Sequence, residues 1–428
     1  MCNSVKKLTA SFMALAMMTS ILSGCNRGSD SGSDNSGGAS GNGETVKLTV
    51  WGSQEDQDIL MEMCEDFAKA HTDKHYAFTM GVVSEADAAN EVLKDVSAAA
   101  DVFAFSSDQI GSLVSAGALY RITKNREEIE NAATETAIRA ATVDGELYGY
   151  PAVSDTYFLY YDKSKLSEED VKSLDDIMAK DIPDVKTNFA MNLDDGWYQA
   201  GFFLGAGCTL FGEDGTDPTQ CDFNSERGLL AGEYILNLAK SPKFGADFDD
   251  SMVKSGFANG TLAAAISGTW NSKEIESSLK ENYGTAKLPE FTLSNGETVQ
   301  MGSFANFKLI GVSSETDAPL DAMLLAEWLT SADNQKLRLE KRSFAPTNKE
   351  LADDTDTLSE IPAVRALTEQ LQHATLQPSI PQMGSFWKPA EAFGQDVISG
   401  AVTMDNLQEK LDRLVQSALS NISEEQAS

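Results

Sequence analysis

The sequence predicts an α/β protein of two domains, and three observations carry that prediction. The first is size: 428 residues exceed what one ordinary core organises, while 42% hydrophobic and 8% aromatic residues are enough to fill two. The second is the order of patterns near residue 46. The alternating Val46-Lys-Leu-Thr-Val-Trp51 runs into polar Gly52-Ser-Gln-Glu-Asp56, then into apolar residues at helical spacing from about Asp58 to His71. The third is its recurrence, with Ala100-Asp-Val-Phe-Ala-Phe105 meeting Ser106-Ser-Asp108 and a helix carrying Ile110, Leu113 and Val114. Strand, polar loop and helix in succession imply a largely parallel sheet whose ligand crevice lies at the strand carboxyl ends. Gln54, Glu55, Asp56, Ser107 and Asp108 then stand at one rim.

The formal net charge of −33 excludes a phosphate-backbone partner, since such partners are held by Lys and Arg. It also opposes adhesion to an anionic membrane surface, so attachment has to come from an anchor. Lys6-Lys7 and the apolar run Leu8 to Leu22 read as a signal peptide, too short to span a bilayer comfortably. The following Leu22-Ser-Gly-Cys25 resembles the lipobox of bacterial lipoproteins, which implies a diacylglyceryl group on Cys25 and a leader of residues 1–25. Residues 26–44 are mostly Ser, Gly, Asn and Asp with little to bury, a flexible tether with a mean reach of roughly 20 to 25 Å.

Beyond Asp144-Gly145 come Tyr148-Gly-Tyr-Pro151 and the aromatic strand Thr156-Tyr-Phe-Leu-Tyr-Tyr-Asp162, read as a crossover into a second α/β unit. Helical patterns at 166–178 and 227–239 and strands near Phe189 and Leu262 belong to that unit. Phe304-Ala-Asn-Phe-Lys-Leu-Ile-Gly-Val312 is a returning strand. Lys388-Pro389 marks a helix start after Ser379-Ile-Pro-Gln-Met-Gly-Ser-Phe-Trp387. Cys208 and Cys221 flank the turn-rich Phe211 to Pro218 as hairpin arms would; in an extracellular protein a disulfide between them and two free thiols both stand. Cys64 sits in the pattern Ile59, Leu60, Met63, Phe67 and reads as a buried apolar thiol.

Candidate chemistries narrow quickly. His71 and His75 straddle Thr72-Asp-Lys74, a helix end, so they do not form one zinc-binding face, and no metal or cofactor is expected. The acidic 213–217 turn lacks EF-hand spacing. There is no Gly-x-Ser-x-Gly elbow and no phosphate-binding Walker lysine. What remains is a set of aromatics and acids at loop positions: Phe105 with Asp108, Asp155, Asp195 with Trp197 and Tyr198, Trp270, and Phe386 with Trp387. Sugar rings present an apolar C–H face and a hydroxyl edge, and flat aromatics with carboxylates suit both.

These residues are also where the chain resembles a known family, the extracellular solute-binding proteins of ATP-driven sugar importers, most closely the maltose/maltodextrin-binding proteins. The likeness runs from about Leu48 to Gly400. It is carried by Leu48-Thr-Val-Trp51, Ala100 to Phe105 with Asp108, Gly145 to Pro151, Tyr160-Tyr-Asp-Lys163, Phe257-Ala-Asn-Gly260, Ser267-Gly-Thr-Trp270, Asn282-Tyr-Gly284 and Ile380-Pro-Gln-Met383 with Phe386-Trp387. The resemblance implies a periplasmic-binding-protein-like α/β fold, two lobes joined by a hinge with the ligand cleft between them. The first lobe would take residues 45–155 and about 305–332, the second 156–304 and about 333–428. Asp108 would accept sugar hydroxyls in the first lobe, with Asp155 and Asp195 as facing acids. Trp197 and Tyr198 would form a shelf, and Trp270 and Trp387 stacking platforms. Glu55, Asp56, Phe105 and Glu391 complete the expected cleft.

The chain departs from the pattern at Phe105, where maltodextrin binders often have tryptophan, at Gln109 for arginine, and at Lys388-Pro-Ala-Glu391 for Tyr-x-x-Arg. The resemblance implies a lipid-anchored, monomeric binder of maltooligosaccharides that works with the permease subunits of an ABC importer and catalyses nothing. A binder of another oligosaccharide, a polyamine binder, suited by acids and aromatics together, and a secreted glycosidase are the alternatives.

Overall fold

A computed structural model describes residues 45–420; the leader, Cys25 and the tether lie outside them. Period-two alternation in the opening strand Thr45–Gly52 buries Val46, Leu48 and Val50. The helix Gln57–Ala70 that follows buries Ile59, Leu60, Met63, Cys64 and Phe67 on one stripe. His71 caps that helix while His75 opens the next strand, so the two histidines sit on different elements.

The first sheet is ordered Ala345–Pro346, Tyr150–Asp155, Ser303–Val312, Val102–Ser106, Thr45–Gly52, His75–Val82. The last three are mutually parallel, but Ser303–Val312 runs antiparallel to both of its long neighbours. The second sheet, Tyr283–Ala286, Phe158–Asp162, Leu262–Ser267, Thr187–Ala190, Phe244–Gly245, is likewise mixed. The expected largely parallel sheet is therefore corrected. Chain that returns from one lobe enters the other sheet from the opposite end and has to run against its neighbours.

One core gathers residues 46–153 with Phe307–Leu329, and another gathers 157–304 with the helices Met383–Ile398 and Leu407–Ala418. Between them two segments cross side by side. The buried Thr156 hydroxyl donates to the Phe304 carbonyl at 2.8 Å and lies 2.9 Å from Ser303 Oγ, fastening one crossing to the other. A third connection follows Leu329. In helix Ala332–Arg342 the amide of Gln335 reaches Pro151 O and Thr330 O, and Pro346 pairs with Val153 in the first sheet. Leu339 and Ala345 meanwhile pack among residues of the second lobe, so this segment touches both.

Two local expectations are corrected. The helix expected to start at Lys388-Pro389 starts at Met383 and carries Pro389 inside it. Met383, Phe386, Ala390, Phe393 and Val397 form one buried stripe through the proline, and that burial outweighs the hydrogen bond the proline removes. The hairpin arms around 211–218 do meet, with Leu210 bridging Cys221, but both thiols are free; Cys208 Sγ faces Ser225 Oγ at 4.0 Å.

Candidate functional site

The first-lobe wall begins where the strand Val102–Ser106 turns into Ser107–Gln109. Ser106 Oγ donates to Asp108, and Ser106 and Ser107 are held by Asn306 of the adjacent antiparallel strand. Asn306 Oδ1 accepts from Ser107 Oγ at 2.6 Å, and its Nδ2 donates to Ser106 Oγ at 2.5 Å. Asn306 escaped sequence reasoning, though an amide inside the apolar run Phe304 to Val312 was a signal for it. Asp108 is 8% exposed, and burial pushes its carboxyl up to about 6 against the pull of Ser106, its own backbone and the Trp387 indole across the cleft.

Asp155 closes the strand Tyr150–Asp155 at 4% exposure, and its Oδ1 has no hydrogen-bond partner among the described residues. Burial lifts it to about 6 while Lys308 pulls it down. Lys308 is itself 3.7 Å from Glu85 and stands 4.7 Å above the Phe344 ring. A buried acid with an idle oxygen is an acceptor in want of a donor.

The second-lobe wall is built on Asp195, which caps the helix Gly196–Gly205 by accepting from Trp197 N at 2.9 Å. Burial raises it to about 6, opposed by that backbone bond and reinforced by the charges of Asp194, Asp250 and Glu391. Trp197 stands edge-on to Tyr157 at 4.8 Å, donates Nε1 to Gln377 at 3.2 Å, and lies 5.7 Å from Trp270. Trp270 is pinned in turn by Asp250, 2.9 Å from its Nε1. Its ring lies so close over Gly268 that a Cβ there would come within 1.7 Å of it. Trp387 packs edge-on against the buried Phe386 at 5.3 Å.

The fold therefore brings Asp108, Asp155, Asp195, Trp197, Tyr198, Trp270 and Trp387 to one inter-lobe region. Tyr198 feels the charges of Asp250, Asp195 and Asp155, the last from the opposite lobe, and Trp270 packs against both cores. Four other expected members are placed differently. Phe105 is fully buried in the first core, 5.8 Å from Phe103 and against Gly311, because it shares the inward face of its strand with Phe103. Asp56 is already paired with Arg342 at 3.0 Å. Glu55 is exposed, with no bonding partner among the described residues, and Glu391 is exposed and bonded to Gln395 one turn on. Gln109, at the position of the family's arginine, pins the loop before it through Ala89 N, Glu85 O and Ala86 O. Sequence reasoning also missed Asp250 and Gln377, which hold the two tryptophans from loop and helix-end positions with no motif around them.

Acceptor carboxylates on both lobes facing tilted indoles can take hydroxyl-edged rings with apolar faces. Residues 62–366 match the family model of bacterial extracellular solute-binding proteins, well over half of the chain. The chain belongs to that family. Among relatives of this solute-binding protein, the galactooligosaccharide-binding protein of Bacillus subtilis (strain 168) is 29% identical over 402 residues, covering 91% of this chain and 92% of the relative. A maltooligosaccharide ABC transporter solute-binding lipoprotein of Streptococcus pneumoniae is 28% identical over 316 residues, with 70% and 72% covered. A structure solved with acarbose superposes at a TM-score of 0.82 with 32% identity, over 87% of this chain and 98% of that one. The maltodextrin-binding protein of L. casei, solved without ligand, gives 0.77 and 25%, over 88% and 100%.

Proposed function

We propose that this solute-binding protein captures maltooligosaccharides between its lobes and hands them to the permease subunits of an ABC importer, without chemical turnover. The observation that carries this reading is the idle Asp155 Oδ1, buried at the lobe junction that also holds Trp197, Trp270 and Trp387. A sugar hydroxyl supplies the missing donor while the indoles take the ring faces. The relatives named for maltooligosaccharides and the likeness to the acarbose complex support the α-glucan class. A second reading, a galactooligosaccharide, is favoured by the B. subtilis relative whose match covers nine-tenths of the chain.

We further infer that a lipid on Cys25 holds the protein at the outer face of the cell membrane as a monomer. Among the described residues no helix is long and apolar enough to cross a membrane, and the lipobox-like Leu22-Ser-Gly-Cys25 supports the anchor. Isothermal titration with maltotetraose and with a galactotetraose decides the ligand: tight binding of the former alone supports the first reading, of the latter alone the second. Mass spectrometry of the recovered sugar is expected to find it uncut, and release of shorter sugars defeats the binding-only reading. Cys25→Ser is expected to lose fatty-acid label and leave the membrane fraction.

A further inference from the structure

A second concavity, of about 400 Å³, lies in the second lobe and shares no lining residue with the cleft. Four cationic side chains from separate parts of the chain border it. They are Lys163 just after the strand Phe158–Asp162, Lys172 of the turn Asp170–Lys172, Lys287 just after the edge strand Tyr283–Ala286, and Arg365 of the helix Pro362–Leu371. Only two acids, Glu168 and Glu369, line it. The chain as a whole holds 66 acids against 33 Lys and Arg, so this pocket reverses the prevailing ratio.

The cations are poorly matched internally. Neither Lys163 nor Arg365 has an ion-pair partner among the described residues, and Lys287 donates to the neutral amide oxygen of Gln300 while Glu290 and Glu369 act on it by charge alone. Lys172 meets Glu169 at 2.6 Å, but in a pair so exposed that it holds the ammonium weakly. Burial draws the Lys287 ammonium below its ordinary pKa, against the opposing charges of Glu290 and Glu369. Ammonium and guanidinium groups bordering one concavity suit an oxyanion.

We propose that this pocket binds a small, multiply charged oxyanion, a phosphate ester or polycarboxylate, between Lys163, Lys172, Lys287 and Arg365, independently of the inter-lobe cleft. The test is isothermal titration of the protein with pyrophosphate and with citrate at constant ionic strength, the stronger of the two identifying the anion class. One saturable site is expected, weakened about tenfold or more in a Lys163→Gln, Arg365→Gln double variant, since each lost group donates charge-assisted hydrogen bonds. Trp270→Ala, which alters the cleft, is expected to leave that binding as it was. Should the double variant melt early, Arg365→Gln alone, at an exposed position, gives the same reading. Absence of saturable binding by either anion, equal binding by wild type and variant, or loss of binding in Trp270→Ala overturns the proposal.

Discussion

Arg342 Nε donates to Asp56 Oδ1 at 3.0 Å, and the same guanidinium extends Nη2 to the Trp270 carbonyl oxygen at 3.4 Å. An acid at the rim of the first sheet is thereby joined, through a helix that touches both cores, to a tryptophan of the second lobe. Arg342→Ala leaves Asp56 largely buried without its partner, and removing one member of such a pair destabilises by about 3 kcal/mol. Urea unfolding is expected to show that loss, and Arg342→Lys to restore only part of it, because an ammonium cannot serve two acceptors in a fixed fork. A fully stable Arg342→Ala would mean the pair is incidental.

Trp270 and Trp387 differ from their aromatic neighbours in what their loss should disturb. Each Trp→Ala change is expected to weaken binding of the cognate oligosaccharide by roughly thirtyfold, the effect of truncating a buried anchor. Phe386 and Phe105 are core, so their truncation to Ala should instead lower stability by about 3 to 5 kcal/mol. Titration calorimetry and thermal melting on the four variants separate the two outcomes. A Trp387→Ala protein that binds normally and melts early would move Trp387 into the core.

Asp195 makes stability depend on pH in a direction that can be worked out. Its carboxyl titrates at the ordinary 3.8 when unfolded and near 6 when folded, raised by burial, so between those values the folded state holds the extra proton. The contribution is fully present below about 3.8 and is lost as pH rises through about 6. Asp195→Asn keeps an acceptor for Trp197 N and carries no charge. At pH 7 it is expected to melt a few degrees higher, on the order of 1 kcal/mol, with a flatter profile between pH 4 and 6. Sugar binding should weaken about tenfold through loss of the charged acceptor. A lower midpoint at pH 7 would show that the carboxylate is stabilised by its surroundings.

Cys64, Cys208 and Cys221 are all held in the thiol form, burial pushing each up to about 12. Alkylation at pH 8 followed by peptide mapping should find these three unmodified in the native protein and all three modified after guanidinium. Rapid native labelling of Cys221, the least buried, would place its loop in an open state.

The order of elements was legible from sequence because it depends on local periodicity. Val46 to Trp51 alternates, and Ile59 to Phe67 repeats at helical spacing. Asp108, Trp270 and Trp387 stood out in the sequence as members of an ordered series of short motifs. Tertiary structure alone decided strand direction, since Ser303–Val312 reads the same in sequence whether it runs with or against Val102–Ser106. It alone decided that Phe105 points inward, that Asp56 is taken by Arg342 from 286 residues away, and that the helix at Met383 runs through Pro389. In each case the deciding energy comes from groups distant in the chain: a partner charge, a facing core, a neighbouring strand. Periodicity reports which face of an element is apolar, and only packing settles what that face meets.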